Sequence, residues 1–307
     1  MLQSGPGIVL NRRNAGEADA IGRVLFESGE AREVRSHGVR KSKSRSNLLL
    51  EPGSLVHLTY YQSEERPGVS ADAVIFASLK EGHVVERFAS LKEDGYDGLL
   101  VLSYFLELAN FGSRAGDSPE LFLLLKGTLE ELATPCEAGL KAFRFTMLSI
   151  FFKVRVLKIL GLVGDARSCA ECGGELREEA LWNVPEVFFS CDACASDANI
   201  PDAYSARVVA AAAGMRYGKF AEYLAGWRNS QAGSLADKAL AADELQTRAA
   251  DADSVPGADD TPRAGRGPKK DLPPWVYHTE ERLLQCMEHY QGGPMRAATQ
   301  LREQLRI

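Results

Sequence analysis

Cys169-Ala-Glu-Cys172, eighteen further residues and Cys191-Asp-Ala-Cys194 place two pairs of soft ligands at the spacing of metal-binding knuckles. Each pair offers two sulfurs to one ion, and a folded-back connection brings the four thiolates into a tetrahedron. Gly173-Gly174 follows the first pair and supplies the tight backbone of a knuckle turn. Residues 176–190 contain Trp182, Val187, Phe188 and Phe189, a filling suited to a two-stranded ribbon. Four equivalent sulfurs leave no open position, so the expected ion is one structural Zn2+ and not a catalytic one. An iron–sulfur cluster also uses four cysteines, but this spacing and filling favour zinc; two unrelated thiol pairs or disulfides are the bland alternative. Cys136 and Cys286 have no partner at ligand spacing and read as packing cysteines.

A second feature is Arg35-Ser-His-Gly-Val-Arg40-Lys41-Ser-Lys43-Ser-Arg45, where serines alternate with cations and Gly38 lets the backbone bend. Phosphate oxygens would take charge-assisted contacts from the cations and hydrogen bonds from Ser42 and Ser44. Charge alone is equally satisfied by a solvated loop, and no aromatic residue in the run would stack bases. Arg12 and Arg13, read as lying just after a first strand, extend the same face.

No catalytic constellation accompanies these features. The sequence has no phosphate-binding P-loop, no dinucleotide-binding glycine signature after a strand and no HExxH pair. Its five histidines, His37, His57, His83, His278 and His289, are scattered. The reading is a non-enzyme.

The elements that must position these groups fall into blocks. At 307 residues, 45% hydrophobic and 25% charged, the chain is a multidomain globular protein and not a disordered one. The uncharged stretches of its apolar middle region, residues 145–152 among them, are far short of the ~20 residues of a membrane span. The opening MLQSGPGIVL carries no secretory signal pattern. The net charge of −6 gives no basic footprint overall, so any nucleic-acid face must be confined to a patch.

Residues 1–85 are β-rich, with runs at 7–10, 21–26, 54–61 and 69–79 separated by turn residues, which predicts a small barrel. From residue 90 the period becomes helical. Ser118-Pro119 starts one helix that ends near Pro135, and a long apolar helix covers about 137–160 and stops at Gly161. A further helix is expected over 203–226, and closing helices over 280–291 and 295–305. Residues 229–271, dominated by Ala, Asp, Gly, Ser and Pro, are expected to be a flexible insertion. The expected domains are therefore 1–85, 86–165, the cysteine module 166–200, and 201–307 with the insertion.

The order of these features resembles the bacterial RecO family. The resemblance is carried by IVLNRRNAGEAD (8–19), HGVRKSKSR (37–45), LLEPGSLVHLTYY (49–61), VLKILGLVGDARSCAECG (156–173) and the second CxxC, and covers about residues 7–226. RLLQCMEHYQGGPMRAATQL (282–301) is similar to a diverged form of the family's C-terminal helices. The resemblance implies an α+β multidomain chain: an N-terminal OB-fold β-barrel, then a central and C-terminal α-helical domain with an inserted four-cysteine zinc module. It implies binding of single- and double-stranded DNA, annealing of complementary strands, and loading of RecA onto strands coated by single-stranded DNA-binding protein (SSB). The implied partners are RecR and the acidic SSB C-terminal tail, in the cytoplasm at the nucleoid.

The resemblance maps DNA contact onto Arg35, Arg40, Lys41, Lys43 and Arg45, with Arg12 and Arg13 added from their position. It maps zinc ligation onto Cys169, Cys172, Cys191 and Cys194. On the long helix, Lys153, Arg155 and Lys158 lie among Phe151, Phe152 and Val156, a mixture suited to an acidic, aromatic-ended tail. The rival class is a zinc-ribbon interaction or transcription-associated module without annealing activity.

Overall fold

A computed structural model describes residues 1–39, 49–62, 76–88, 91, 95–136, 141–176, 180–183, 186–195, 199–201, 203–229 and 274–305. The proposed insertion 229–271, all but its first residue, lies outside them. So do Arg40, Lys41, Lys43 and Arg45, and most of the strand expected at 69–79. Among the described residues no helix is long and apolar enough to cross a membrane.

Five strands form the N-terminal barrel: β1 (Leu2–Ala15), β2 (Asp19–Phe26), β3 (Ala31–Ser36), β4 (Leu55–Tyr61) and β5 (Ala77–Glu86). They close in the order β1-β2-β3-β5-β4, with β3 and β5 parallel over Val34↔Ala77 and Arg35↔Ser78 and the other pairs antiparallel. This is the OB-fold topology. Alternation along the strands sends Val9, Ala20, Val24, Val34, Val56, Leu58 and Tyr60 into one interior cluster. Each such aliphatic side chain contributes on the order of 1.5–3 kcal/mol by leaving water.

The chain divides into two compact units. The first comprises Met1–Cys136, Phe152–Val163 and Met287–Ile307; the second comprises Glu137–Phe151 and Gly164–Cys286. In the first unit the barrel is followed by α1 (Gly95–Gly112) and α2 (Pro119–Ala133). Ser118 caps α2 by accepting the Leu121 amide at 3.3 Å, with Pro119 at its first position. The β2–β3 turn abuts this helix start so closely that Gly29, at φ +91°, leaves no room for a side chain. The closing helix α7 (Arg296–Leu305) is fixed to α1 by Glu107, whose carboxylate accepts the Arg296 and Ala297 amides at 2.9 and 2.8 Å. A carboxylate there satisfies orphan donors and complements the helix dipole.

The apolar helix α3 (Lys141–Ile159) contributes residues to both units. It stops as expected at Gly161, whose φ of +72° allows Leu162 N–H to reach Leu157 O and Gly161 N–H to reach Lys158 O. In the second unit, Phe151 packs against Tyr217 and Phe220 at ring separations of 5.5 and 5.6 Å. The single helix expected over 203–226 is two helices, α4 (Ala203–Gly214) and α5 (Tyr217–Asn229). Gly214 sits at the break, where a residue without a side chain supports helix least. The helix expected from residue 280 begins earlier, as α6 (Pro274–Gln291).

Candidate metal centre and nucleic-acid interface

The two cysteine pairs meet. Their four sulfurs lie within 4.8 Å of one another, with Cys172 and Cys191 Sγ 3.9 Å apart. A metal–sulfur bond of about 2.3 Å requires tetrahedral edges of about 3.8 Å, so the observed cluster needs a contraction of less than about 1 Å. The donor set therefore fits one metal ion held by sulfur alone.

Backbone hydrogen bonds build this arrangement. The Cys169 amide donates to Gly174 O and the Gly173 amide returns to Cys169 O, closing the first knuckle around Gly173 at φ +70°. Ahead of it, Asp165 accepts from the Arg167 amide at 3.0 Å and the Ser168 hydroxyl at 2.8 Å. The second pair is presented by a hairpin of β6 (Ala180–Asn183) and β7 (Phe188–Cys191), in register Trp182↔Phe189 and Ala180↔Cys191. Ala170 N–H donates to Phe189 O at 2.9 Å and thus ties the first knuckle to the strand that carries Cys191. The expected ribbon has a third strand, β8 (Asn199–Pro201), beside β6. Trp182 is fully enclosed, edge-on to Phe189, and its indole N–H donates to Glu186 O at 2.7 Å.

A cation at the cluster would favour the thiolate form of its sulfurs. Amides of Cys172 and Cys191 aimed at Cys169 Sγ bring that thiol down to about 6. The hydrogen bonds of Cys194 with Cys191 and then Cys172 push its thiol up to about 12. One sulfur of the cluster ionises readily and another resists, the pattern that a shared positive ion relieves. Cys286 is a packing cysteine as expected; burial pushes its thiol up to about 12.

Of the seven cations read as DNA contacts, three are described. Arg12 and Arg13 lie within β1, not after it, and as neighbours in a strand they point to opposite sides of the sheet. Arg13 shares a face with Arg35 through the register Arg13↔Ile21↔Arg35. Both are ion-paired. The Arg13 guanidinium lies 3.4 Å from Glu33, which also approaches Arg23 at 3.9 Å. Arg35 donates from Nε to Asp19 Oδ2 at 3.0 Å, and its Nη2 lies 2.9 Å from the same oxygen. Asp19 and Glu33 are the functional neighbours that the sequence reading missed. The strand spacing Asp19–Arg35 across a two-strand pair was the one signal that could have shown the first.

The cationic face expected on α3 is not what the helix presents. Lys153 is fully enclosed, its ammonium 5.5 Å from the centre of the Tyr104 ring. Ile150, Val156 and Leu157, one turn away from it on either side, are all fully buried, so the helix rotation carries Lys153 inward. Arg155 approaches Glu120 at 3.8 Å, and Lys158 is exposed.

A closed OB barrel followed by helices that carry a four-thiol metal-binding module defines the class of protein. Residues 1–71 match the family described as Recombination protein O N terminal, and residues 94–228 match Recombination protein O C terminal. The DNA repair protein RecO of Leptospira biflexa serovar Patoc is 31% identical over 191 residues, 61% of this chain and 70% of that protein. The RecO proteins of Desulforamulus reducens and Rubrobacter xylanophilus are 28% and 30% identical, with 62% and 64% of this chain and 67% and 73% of theirs covered. The chain belongs to the RecO family, a family of DNA recombination and repair.

Proposed function

We propose that this protein is a recombination mediator in DNA repair that binds single- and double-stranded DNA and anneals complementary strands. With RecR it helps load RecA onto SSB-coated DNA. The observation that carries this reading is the pair of family matches, one over the OB barrel and one over the helical and cysteine-bearing part. The barrel, residues 1–85, is the DNA-binding domain. Its contacts are Arg12, Arg13 and Arg35 on β1 and β3 together with Arg40, Lys41, Lys43 and Arg45 in the following segment.

Phosphate neutralisation drives binding, so affinity falls steeply with salt and depends little on sequence. The ion held by Cys169, Cys172, Cys191 and Cys194 is one Zn2+, which stabilises the fold and takes no part in chemistry. The SSB tail meets the α3 surface at Arg155 and Lys158, Lys153 being enclosed. The protein works in the cytoplasm, at the nucleoid, and is not an enzyme.

The test is annealing of complementary oligonucleotides precoated with SSB, across a salt series, for the wild type and for Arg40→Ala/Lys41→Ala. Acceleration that fades with salt, with the variant's log–log salt slope shallower by about 1.4, is expected for two lost phosphate contacts. Absence of DNA binding and annealing at low salt would leave the zinc-ribbon interaction module as the better account.

A further inference from the structure

Asp19 opens β2 on the barrel face that carries Arg13 and Arg35. Its carboxylate takes three hydrogen bonds, Arg35 Nε at 3.0 Å and His37 Nδ1 at 3.0 Å on Oδ2 and the Gly38 amide at 2.9 Å on Oδ1, and Arg35 Nη2 lies 2.9 Å from Oδ2 as an ion pair. The Gly38 amide is the main reason its carboxyl lies below the usual range. Gly38 has φ +69°, so the backbone turns sharply at the point where the carboxylate holds it. Arg35 and His37 remain 41% and 59% exposed while being held. The Nε–H of Arg35 is committed to Asp19, and the outer N–H groups of the fork can be offered elsewhere. A carboxylate beside a phosphate-binding face is electrostatically adverse, so its place among these donors asks for another explanation.

We propose that Asp19 is a positioning residue for nucleic-acid phosphate: it locks Arg35 and His37 into one fixed donor surface and sets the turn from which the basic segment departs. The gain in order outweighs the repulsion between its own charge and the phosphate. A guanidinium pre-set against one carboxylate oxygen, itself held by the backbone through the other, loses less side-chain freedom on binding than a solvated one. The other charged groups of this face, Arg13, Arg23 and Glu33, form their own ion-paired set. The proposal rests on the DNA-binding reading above and names how one part of that site is organised.

The sign of one measurement decides it. Asp19→Ala removes a negative charge, so if summed charge governs, the variant binds DNA more tightly. If positioning governs, it binds more weakly. Fluorescence anisotropy with labelled single-stranded oligonucleotide, on the full chain and across salt, provides both affinity and slope. Loss of one phosphate contact corresponds to about an 8-fold weaker affinity at 50 mM salt and a slope shallower by about 0.7. That result is expected, with a cooperative thermal transition that is retained and somewhat lowered by loss of the Asp19 contacts.

Affinity equal to or tighter than wild type overturns the proposal and leaves the DNA-binding reading intact. Where Asp19→Ala fails to fold, Asp19→Asn is judged by the same criterion, and Asp19→Glu should recover part of the loss. If the wild type itself does not bind, the DNA-binding reading fails and this proposal falls with it.

Discussion

Glu33→Gln should tighten DNA binding. Glu33 lies directly across from Arg23 in the β2–β3 register and is approached by two guanidinium groups, Arg13 at 3.4 Å and Arg23 at 3.9 Å. Arg23 is also anchored through Nη2 to Ser113 Oγ at 3.2 Å, so it stays in place when Glu33 is neutralised. Arg13, with its side chain 55% exposed, is the one that gains freedom to meet a phosphate. One additional phosphate contact adds about 0.7 to the log–log salt slope for single strands, which amounts to about 8-fold at 50 mM salt and about 3-fold at 200 mM. The stability cost is small, because surface ion pairs of this kind contribute about 0–1 kcal/mol and glutamine keeps the side chain's size. Anisotropy titrations of labelled oligonucleotide at several salt concentrations measure both quantities. A variant with unchanged affinity and slope would refute the argument that Arg13 faces phosphate on the outer side of β1–β3.

Gly29→Ala should cost roughly 2–5 kcal/mol in urea unfolding, the sum of left-handed strain and overpacking, because the added Cβ would lie 2.2 Å from the Ser118 carbonyl carbon. Gly16→Ala, at φ +63° with open space around it, should cost only about 1–2 kcal/mol, and equal losses at the two sites would refute the close approach of barrel turn and α2. Cys191→Ser should lower bound metal from one equivalent and weaken metal affinity by more than the roughly 10–100-fold that loss of an outer partner costs; unchanged stoichiometry by elemental analysis would end the metal assignment. For Asp19 the folded pKa is depressed, so its stabilisation is present above the ordinary value of 3.8 and is lost as pH falls below it. Acid unfolding of Asp19→Asn should therefore lack that part of the wild-type pH dependence, and parallel curves below pH 3.8 would count against it.

The parts of the molecule legible in the sequence are those where one residue type has one physical reason to be there. The CxxC pairs needed only the ligand chemistry of sulfur, and their sulfurs converge. Ser118-Pro119 marked a helix start through two independent rules, and the cap forms as expected. β4 was visible because its apolar residues alternate. β3 was not: in AREVRS only Val34 is a large apolar residue on the buried side, and the outer positions are filled by charges that read as a loop. The same charges hid Asp19 and Glu33, whose roles exist only once β1, β2 and β3 are in register. Lys153 failed for the opposite reason. A lysine in an apolar helix is expected to reach water, and here the Tyr104 ring faces its ammonium in the interior.

The described outer face of β1–β3 contains three arginines and two carboxylates, and every one of the five is paired across strands. On the proposed reading, a nucleic-acid face of this kind would leave little trace in the composition of a chain of net charge −6. It also divides the proposed work. An arginine that must release its carboxylate to take a phosphate, as Arg13 would release Glu33, gains less from the exchange than an unpaired cation gains from a contact. Binding assembled from such exchanges is broad and reversible, with strength tuned by how much each carboxylate holds back. Glu33 spans two arginines at long distances and acts mainly as a competitor. Asp19 makes three short hydrogen bonds, including one to the backbone, and acts in the proposal as a scaffold. Two acids one strand apart on the same sheet are therefore expected to have opposite effects on the same ligand, because one meets side chains and the other also fixes the chain.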